Sequence, residues 1–116
     1  MASYELFIER VKDIHKIGAI QGHLGWDQET IMPAKGGKAR SEIMSWLAKE
    51  QHSRVTDESF ADMIEQLEFD TSLDEDQQAN VREIRRRYDK AVKLPSDFVA
   101  EFALARSQAL VAWQEA

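Results

Sequence analysis

The stretch that decides the fold is residues 4–17, YELFIERVKDIHKI. Its apolar side chains recur at steps of three and four positions, which places them on one face of a helix. We therefore expect a helix from about residue 4 to residue 25, with Ser3 as its N-cap. The apolar stripe consists of Tyr4, Phe7, Ile8, Val11, Ile14 and Ile17.

The same spacing predicts four more helices downstream. Their expected bounds are about 38–53, 57–68, 73–93 and 96–116. Their apolar stripes are Ala39, Ile43, Trp46 and Leu47; Phe60, Met63, Ile64 and Leu67; Val81, Ile84, Tyr88, Ala91 and Val92; and Phe98, Phe102, Ala105, Ala109 and Trp113. Five glycines and two prolines are too few for the turns of a sheet. The sequence thus predicts an all-α fold of helical hairpins packed as an antiparallel bundle.

Two helix starts carry capping signals. Thr56, followed by two acidic residues, is the expected N-cap of the third helix. Ser72 precedes Glu75 by three positions, which is the spacing of a capping box at the start of the fourth helix.

Composition excludes several classes of function. The 116 residues fit one domain, and 15 basic against 21 acidic side chains give a net charge of −6. This charge argues against a nucleic-acid or anionic-membrane partner, because both require a positive surface. The chain has no cysteine, no signal-peptide pattern and no apolar run near the roughly 20 residues of a membrane span. We expect a cytoplasmic protein.

The sequence contains no motif for a metal or nucleotide site. The three histidines, His15, His23 and His52, do not form an H-E-x-x-H pattern, so we expect no metal site in this segment. Neither a nucleophile elbow nor a phosphate-binding glycine loop occurs. Arginines 85–87 spread over about 200° of a helix, which is typical of a solvated face.

Residues 26–36, WDQETIMPAKG, interrupt the helical pattern. Asp27 and Glu29 form a carboxylate pair that could perform acid–base chemistry. Alternatively, Asp27 forms an Asx-turn, Thr30 supplies a turn hydroxyl and Trp26 fills the core. The residue pattern leaves both interpretations open.

This interruption also begins a resemblance to a known family. The chain resembles the start of the carboxypeptidase Taq family of metallocarboxypeptidases, over its whole length but only about the first quarter of a family member. The residues that carry it are 24–33 (LGWDQETIMP), 36–42 (GGKARSE), 79–83 (ANVRE), 88–91 (YDKA), 94–95 (LP), Ser107 and 112–113 (AW).

The resemblance implies a cytoplasmic, metal-dependent exopeptidase that removes C-terminal residues from peptides, with an almost wholly helical and commonly dimeric fold. Zinc or another divalent ion is expected on two histidines of an H-E-x-x-H helix and a downstream glutamate, all beyond residue 116. This chain then corresponds to the N-terminal cap over the cleft of a longer protein, and its last helix still carries an apolar face at Trp113. Within it, Trp26, Asp27, Gln28 and Glu29 are the candidate substrate-binding residues that line the cleft.

The expected consequences are specific. The chain alone should lack peptidase activity, and its uncovered apolar faces should promote homo-oligomers. Its expected partner is the remainder of the enzyme, with no nucleic acid or membrane partner. Two alternatives remain, a free-standing helical interaction or dimerisation module and a small enzyme that binds an anionic metabolite through Arg40, Arg82 and Arg86. A coding sequence that continues past Ala116 into an H-E-x-x-H region would favour the interpretation of this chain as the N-terminal segment of a metallocarboxypeptidase.

Overall fold

The computed structural model describes residues 2–30 and 36–115. Within these ranges the chain forms five α-helices and no strand, so the all-α prediction is confirmed. The helices are α1 (Ala2–Thr30), α2 (Gly37–Val55), α3 (Glu58–Glu68), α4 (Glu75–Ala91) and α5 (Ser96–Glu115). None of the described helices is both long enough and apolar enough to span a membrane.

Helix α1 continues five residues beyond its predicted end. Residues 26–30 are helical, and the Thr30 hydroxyl donates a hydrogen bond to the Trp26 carbonyl at 2.7 Å. The expected turn roles of Asp27 and Thr30 were therefore wrong, because Asp27 binds Arg40 on α2 and the Thr30 hydroxyl bonds a carbonyl of its own helix. The rest of the expected interruption, residues 31–35, lies outside the described residues, as does the Ser3 side chain.

The main hydrophobic core joins α1, α3 and α4. Phe7 and Phe60 are fully buried and stack with their ring centroids 5.8 Å apart. The core cluster consists of Phe7, Phe60, Ile64, Leu67, Leu73 and Val81, with the other members of the α1 stripe except Ile17 packed against it. The predicted stripes of α1 and α3 are thus the faces that pack.

Both predicted capping signals fall on neighbouring residues instead. Asp57, not Thr56, caps α3 by accepting a hydrogen bond from the Ser59 amide at 3.1 Å. Asp74 and Gln77 form the capping box of α4, at 2.8 and 3.0 Å. The prediction for Ser72 was wrong because α4 begins only at Glu75, so Asp74 occupies the N-cap position.

Helices α2 and α5 form the most extensive helix pair, and they meet through small side chains. Gly37, Ser41 and Ser107 are buried at this contact. A Cβ atom on Gly37 would lie 2.9 Å from Val111 Cγ2, so a larger residue would separate the helices. The Ser45 hydroxyl also donates to the Ala100 carbonyl at 2.8 Å.

This close contact leaves the predicted stripes of α2 and α5 largely exposed. Trp46 is 64% exposed, Phe102 is 60% exposed and Trp113 is 80% exposed. The prediction that these two stripes form core faces was therefore wrong within this chain, although Leu47 is buried as expected. The small-residue faces pack in their place because they let the two backbones approach more closely.

The resulting molecule is elongated, at 56 × 25 × 17 Å. Its radius of gyration is 17.0 Å, whereas a compact domain of this length has about 13.4 Å. Helix α1 packs on both α2 and α3, and it links the α3–α4 core to the α2–α5 pair.

Candidate functional site

An open groove of about 930 Å³ lies between the C-terminal half of α1, α2 and α5. We call it the α1/α2/α5 groove. Its walls are mainly apolar, since α1 contributes glycines and α5 contributes aromatic and aliphatic side chains. The residues that define it are Gly22, Gly25 and Trp26 on α1, Met44 and Ala48 on α2, and Phe102, Leu110 and Trp113 on α5.

A buried hydrogen-bonded cluster holds α1, α2 and α5 together beside this groove. The Gln28 amide nitrogen donates to the Ser107 hydroxyl at 2.8 Å and to the Ser107 carbonyl at 3.3 Å. The Ser41 hydroxyl donates to Ser107 Oγ at 2.8 Å. All three residues are buried, and the described part of the chain contains no buried side-chain polar atom without a partner. Because the cluster is satisfied internally, it acts as a structural tie.

Asp27 is held by an arginine on the neighbouring helix. Arg40 Nη2 lies 2.9 Å from Asp27 Oδ2, and Arg40 Nη1 donates to the Leu24 carbonyl at 2.7 Å. The two side chains are 16% and 27% exposed, respectively, so solvent screens this pair less than the exposed pairs elsewhere. The pair fixes the last turns of α1 against α2.

The four candidate residues at positions 26–29 therefore do not share one environment. Asp27 binds Arg40 and does not line the groove, whereas Gln28 binds Ser107 and also lines it. Trp26 lines the groove and is 56% exposed, so the expectation that it fills the core was wrong. The Glu29 side chain lies outside the described residues, so the Asp27–Glu29 carboxylate pair is not described either.

Sequence reasoning missed the small-residue contact that forms one side of the site. The signal was present in α2, where Gly37, Ser41, Ser45 and Ala48 recur at helical spacing. Their low hydrophobicity hides a packing face that a search for large apolar side chains does not find.

Arg106 is the charged side chain that lines the groove. It is exposed, and it forms no ion pair with any carboxylate whose side chain the structure describes, a set that leaves out Glu29 and Glu115. The groove thus combines apolar walls with one positive charge.

The described residues do not fit a zinc ion. No group of three histidine, aspartate or glutamate side chains is close enough to hold a metal within residues 2–30 and 36–115. The His52 ring bonds the Ser96 hydroxyl and the Ala91 carbonyl, each at 2.7 Å. His15 and His23 are exposed on α1.

The arginines of the anionic-metabolite hypothesis do not form a common pocket. Arg40 is engaged by Asp27, and Arg86 lies 3.7 Å from Glu83 on its own helix. Neither of these arginines nor Arg82 lines the α1/α2/α5 groove.

Three exposed carboxyl groups away from the groove have altered acidity. Hydrogen bonds from Ser59 and Arg10 lower the pKa of Asp57, and hydrogen bonds from Ser72 lower the pKa of Asp70. A hydrogen bond from Lys49 lowers the pKa of Asp97. Asp57 caps α3, Asp70 bonds Ser72 in the turn before α4, and Asp97 pairs with Lys49 on α2. None of the three lines the groove.

Comparison with known proteins gives one consistent family. The sequence profile of the carboxypeptidase Taq (M32) metallopeptidases matches residues 6–116. The chain is similar to thermostable carboxypeptidase 1 of Thermus thermophilus, with 31% identity over 118 residues that cover 99% of this chain. It is 30% identical to thermostable carboxypeptidase 1 of Pyrococcus furiosus and 27% identical to carboxypeptidase 1 of Bacillus subtilis, over 94% and 95% of the chain.

The chain spans less than a quarter of the length of these relatives, at 23%, 22% and 22% respectively. No solved structure matches it.

Proposed function

Because the chain belongs to the carboxypeptidase Taq (M32) metallopeptidase family, we propose that it forms the N-terminal part of a metal-dependent carboxypeptidase that releases C-terminal amino acids from peptides. The observation that carries this proposal is the family match over residues 6–116, together with relatives that are named as carboxypeptidases. We place the intact enzyme in the cytoplasm, and the chain without cysteine is compatible with that compartment.

We assign the metal chemistry to a part of the enzyme outside this segment. The segment offers no group of three metal-ligating side chains in its described ranges. A divalent ion such as zinc supplies Lewis-acid polarisation and an activated water to a metallopeptidase. The 116-residue chain alone is therefore expected to be inactive.

We assign a positioning role to the last turns of α1. Asp27 binds Arg40 and Gln28 binds Ser107, so both side chains fix this helix end from two directions. Trp26, which lines the α1/α2/α5 groove, is the residue of this stretch that we place at the wall of the substrate cleft, and Glu29 remains a candidate for the same wall from the sequence alone. In this arrangement none of the four residues transfers a proton.

A chimera tests the proposal. This chain would replace the segment of the Thermus thermophilus relative with which it aligns. We expect zinc-dependent release of C-terminal amino acids from the chimera and none from the 116-residue chain with added zinc or cobalt. A folded, zinc-loaded chimera without activity, or metal-dependent turnover by the chain alone, would contradict the proposal.

The cleft-wall assignment has its own test in the same chimera. Trp26→Ala should raise KM with little change in thermal stability, whereas Asp27→Ala should lower stability and leave KM nearly unchanged. If Trp26→Ala lowers only stability, the residue is a packing element and not part of the cleft.

One observation favours a second function, a free-standing interaction module. The α1/α2/α5 groove is apolar and open, which is typical of a docking surface. This alternative would be supported if the natural coding sequence ended at Ala116 and the isolated chain bound a partner unrelated to carboxypeptidases. In either case the uncovered apolar helix faces of the isolated chain should cause self-association, which is the homo-oligomer we propose.

A further inference from the structure

The chain exposes more surface than a compact protein of its mass. The chain has 7995 Å² of accessible surface, whereas a compact protein of its mass exposes about 6,450 Å². The excess of about 1,500 Å² is at the upper end of the roughly 600–1,500 Å² that interfaces within one chain bury. The elongated segment therefore carries enough uncovered area for one more packed surface.

The α5 wall of the groove has the composition of an interface centre. Phe102 and Trp113 are mostly exposed, and Leu110 lies between them in the sequence. Residues 102–113 extend about 16 Å along the helix axis, or three helical turns. Exposed aromatic side chains grouped in this way are typical of surfaces that another element covers.

The α1 wall has glycines that this chain does not itself require. Nothing lies within 4 Å of a Cβ atom built on Gly22 or Gly25. By contrast, a Cβ on Gly18 would lie 3.1 Å from the Gln51 amide nitrogen, and one on Gly37 would contact Val111. Glycine within a helix is unfavourable relative to alanine, and it permits close approach of another backbone. The open space beside Gly22 and Gly25 fits the backbone of an added helix.

The charge of the groove limits which occupant fits. Arg106 lines the groove, and none of the carboxylates whose side chains the structure describes forms an ion pair with it. A second copy seated symmetrically in the same groove would bring two Arg106 side chains into one interface, and like charges there oppose association. An occupant that carries an acidic side chain would instead complement Arg106.

We propose that the α1/α2/α5 groove is the docking site for one amphipathic helix with an acidic side chain, supplied by the part of the carboxypeptidase that lies outside the matched segment. This inference rests on the proposed function, since the partner is the remainder of that enzyme. It is compatible with relatives whose aligned portion is only 22–23% of their length. The helix lies across Gly22 and Gly25, packs on Phe102 and Trp113, and pairs with Arg106, and it leaves Trp26 uncovered at the wall of the proposed substrate cleft.

Labelled peptides test this docking site directly. Overlapping 20-residue peptides, the length of α5, would cover the Thermus thermophilus relative beyond its aligned region. Binding to the intact 116-residue chain would be followed by fluorescence anisotropy. We expect saturable binding of an amphipathic peptide that contains an acidic residue, and we expect this peptide to dissociate any oligomer of the chain.

Substitutions in the groove should weaken that binding by at least about tenfold, whereas matched substitutions elsewhere should not. The groove variants are Gly22→Leu, Phe102→Asp and Arg106→Glu, and the matched controls are Phe69→Asp and Arg82→Glu. Phe69 is 80% exposed and lies outside the groove. Replacement of the peptide's acidic residue by lysine should restore binding to the Arg106→Glu variant.

Three results would overturn the docking site. The first is that no peptide shows saturable binding, and the second is that groove variants and controls bind the peptide equally. The third is a stable dimer of the chain that no peptide dissociates. The assay contains neither substrate nor metal, so its failure would leave the activity test of the chimera unaffected. An inactive chimera with normal peptide binding would contradict only the enzymatic proposal.

Discussion

Gln28 on α1 and Ser107 on α5 are 79 positions apart in the sequence and share a buried hydrogen bond of 2.8 Å. Ser107 in turn accepts a hydrogen bond from Ser41 on α2, so one hydroxyl group joins three helices. Gln28 and Ser107 also line the α1/α2/α5 groove. The polar tie therefore sets the geometry of the apolar surface beside it.

Ser107→Ala should destabilise the chain by about 1–3 kcal/mol, because it removes the hydroxyl partner of a buried Gln28 amide. Chemical denaturation measures this change as a lower free energy of unfolding. Gln108→Ala is the matched control, since Gln108 is the next residue on α5 and is exposed. Equal stability of the two variants would show that the buried cluster is not a structural tie.

Asp27 and Arg40 should show a coupling free energy of about 1–2 kcal/mol in a double-mutant cycle of alanine substitutions. Their contact is partly buried and includes the additional Arg40 bond to the Leu24 carbonyl. The exposed Glu83–Arg87 pair, at 3.4 Å, is the comparison and should give only about 0.3–0.5 kcal/mol. A coupling for Asp27–Arg40 no larger than that of the exposed pair would contradict a positioning role.

Gly22→Ala and Gly25→Ala should each stabilise the isolated chain by roughly 0.5–1 kcal/mol, since alanine favours the helix and no atom blocks its Cβ. Gly37→Ala should have the opposite effect, because its Cβ would lie 2.9 Å from Val111 Cγ2. Thermal denaturation of the three variants tests the difference in sign. Stabilisation by Gly37→Ala would show that α2 and α5 do not require this close contact.

The free energy of unfolding should decrease as the pH falls below about 4, in part because of Asp57. Ser59 and Arg10 lower the pKa of this carboxyl from its ordinary 3.8 in the folded state, so the unfolded chain takes up a proton at a higher pH. The contribution of Asp57 is complete above the unfolded pKa and is lost as the pH falls through the lower folded value.

The variant Asp57→Asn should therefore lose less free energy of unfolding than the unmodified chain between about pH 5 and about pH 2. This is the range in which carboxyl groups with a pKa of about 4 take up protons. Ser59→Ala should give an intermediate slope, since Ser59 is the larger cause of the lowered pKa. An unchanged pH dependence in Asp57→Asn would show that other groups control acid unfolding.

The helical architecture was predictable because large apolar side chains dominate the packing of α1, α3 and α4. Phe7 belongs to the apolar stripe of α1, and Phe60 and Ile64 lie four positions apart in the stripe of α3. All three are fully buried, as these patterns predicted. In α5, however, apolar residues occur on more than one face, and spacing alone does not select which face packs within this segment. The structure selects the face that contains Ser107, because α2 presents a complementary row of small residues.

The end of α1 was mispredicted for a related reason. The polar side chains of Asp27 and Gln28 suggested an exposed turn, but long-range partners on α2 and α5 satisfy them within a helix. A local pattern cannot contain partners 13 or 79 positions away. Trp26 and Gln28 line the groove, their role at a substrate cleft stays a prediction, and the contacts of Asp27 and Gln28 required the tertiary structure.

The measurement that tests the account most directly is a calorimetric zinc titration of the 116-residue chain, followed by an assay for released C-terminal amino acids. The account predicts no saturable zinc binding at micromolar concentrations and no amino-acid release, because the reactive centre belongs to another part of the enzyme. Stoichiometric, tight zinc binding by the side chains of this segment, together with hydrolysis of peptides, would contradict it.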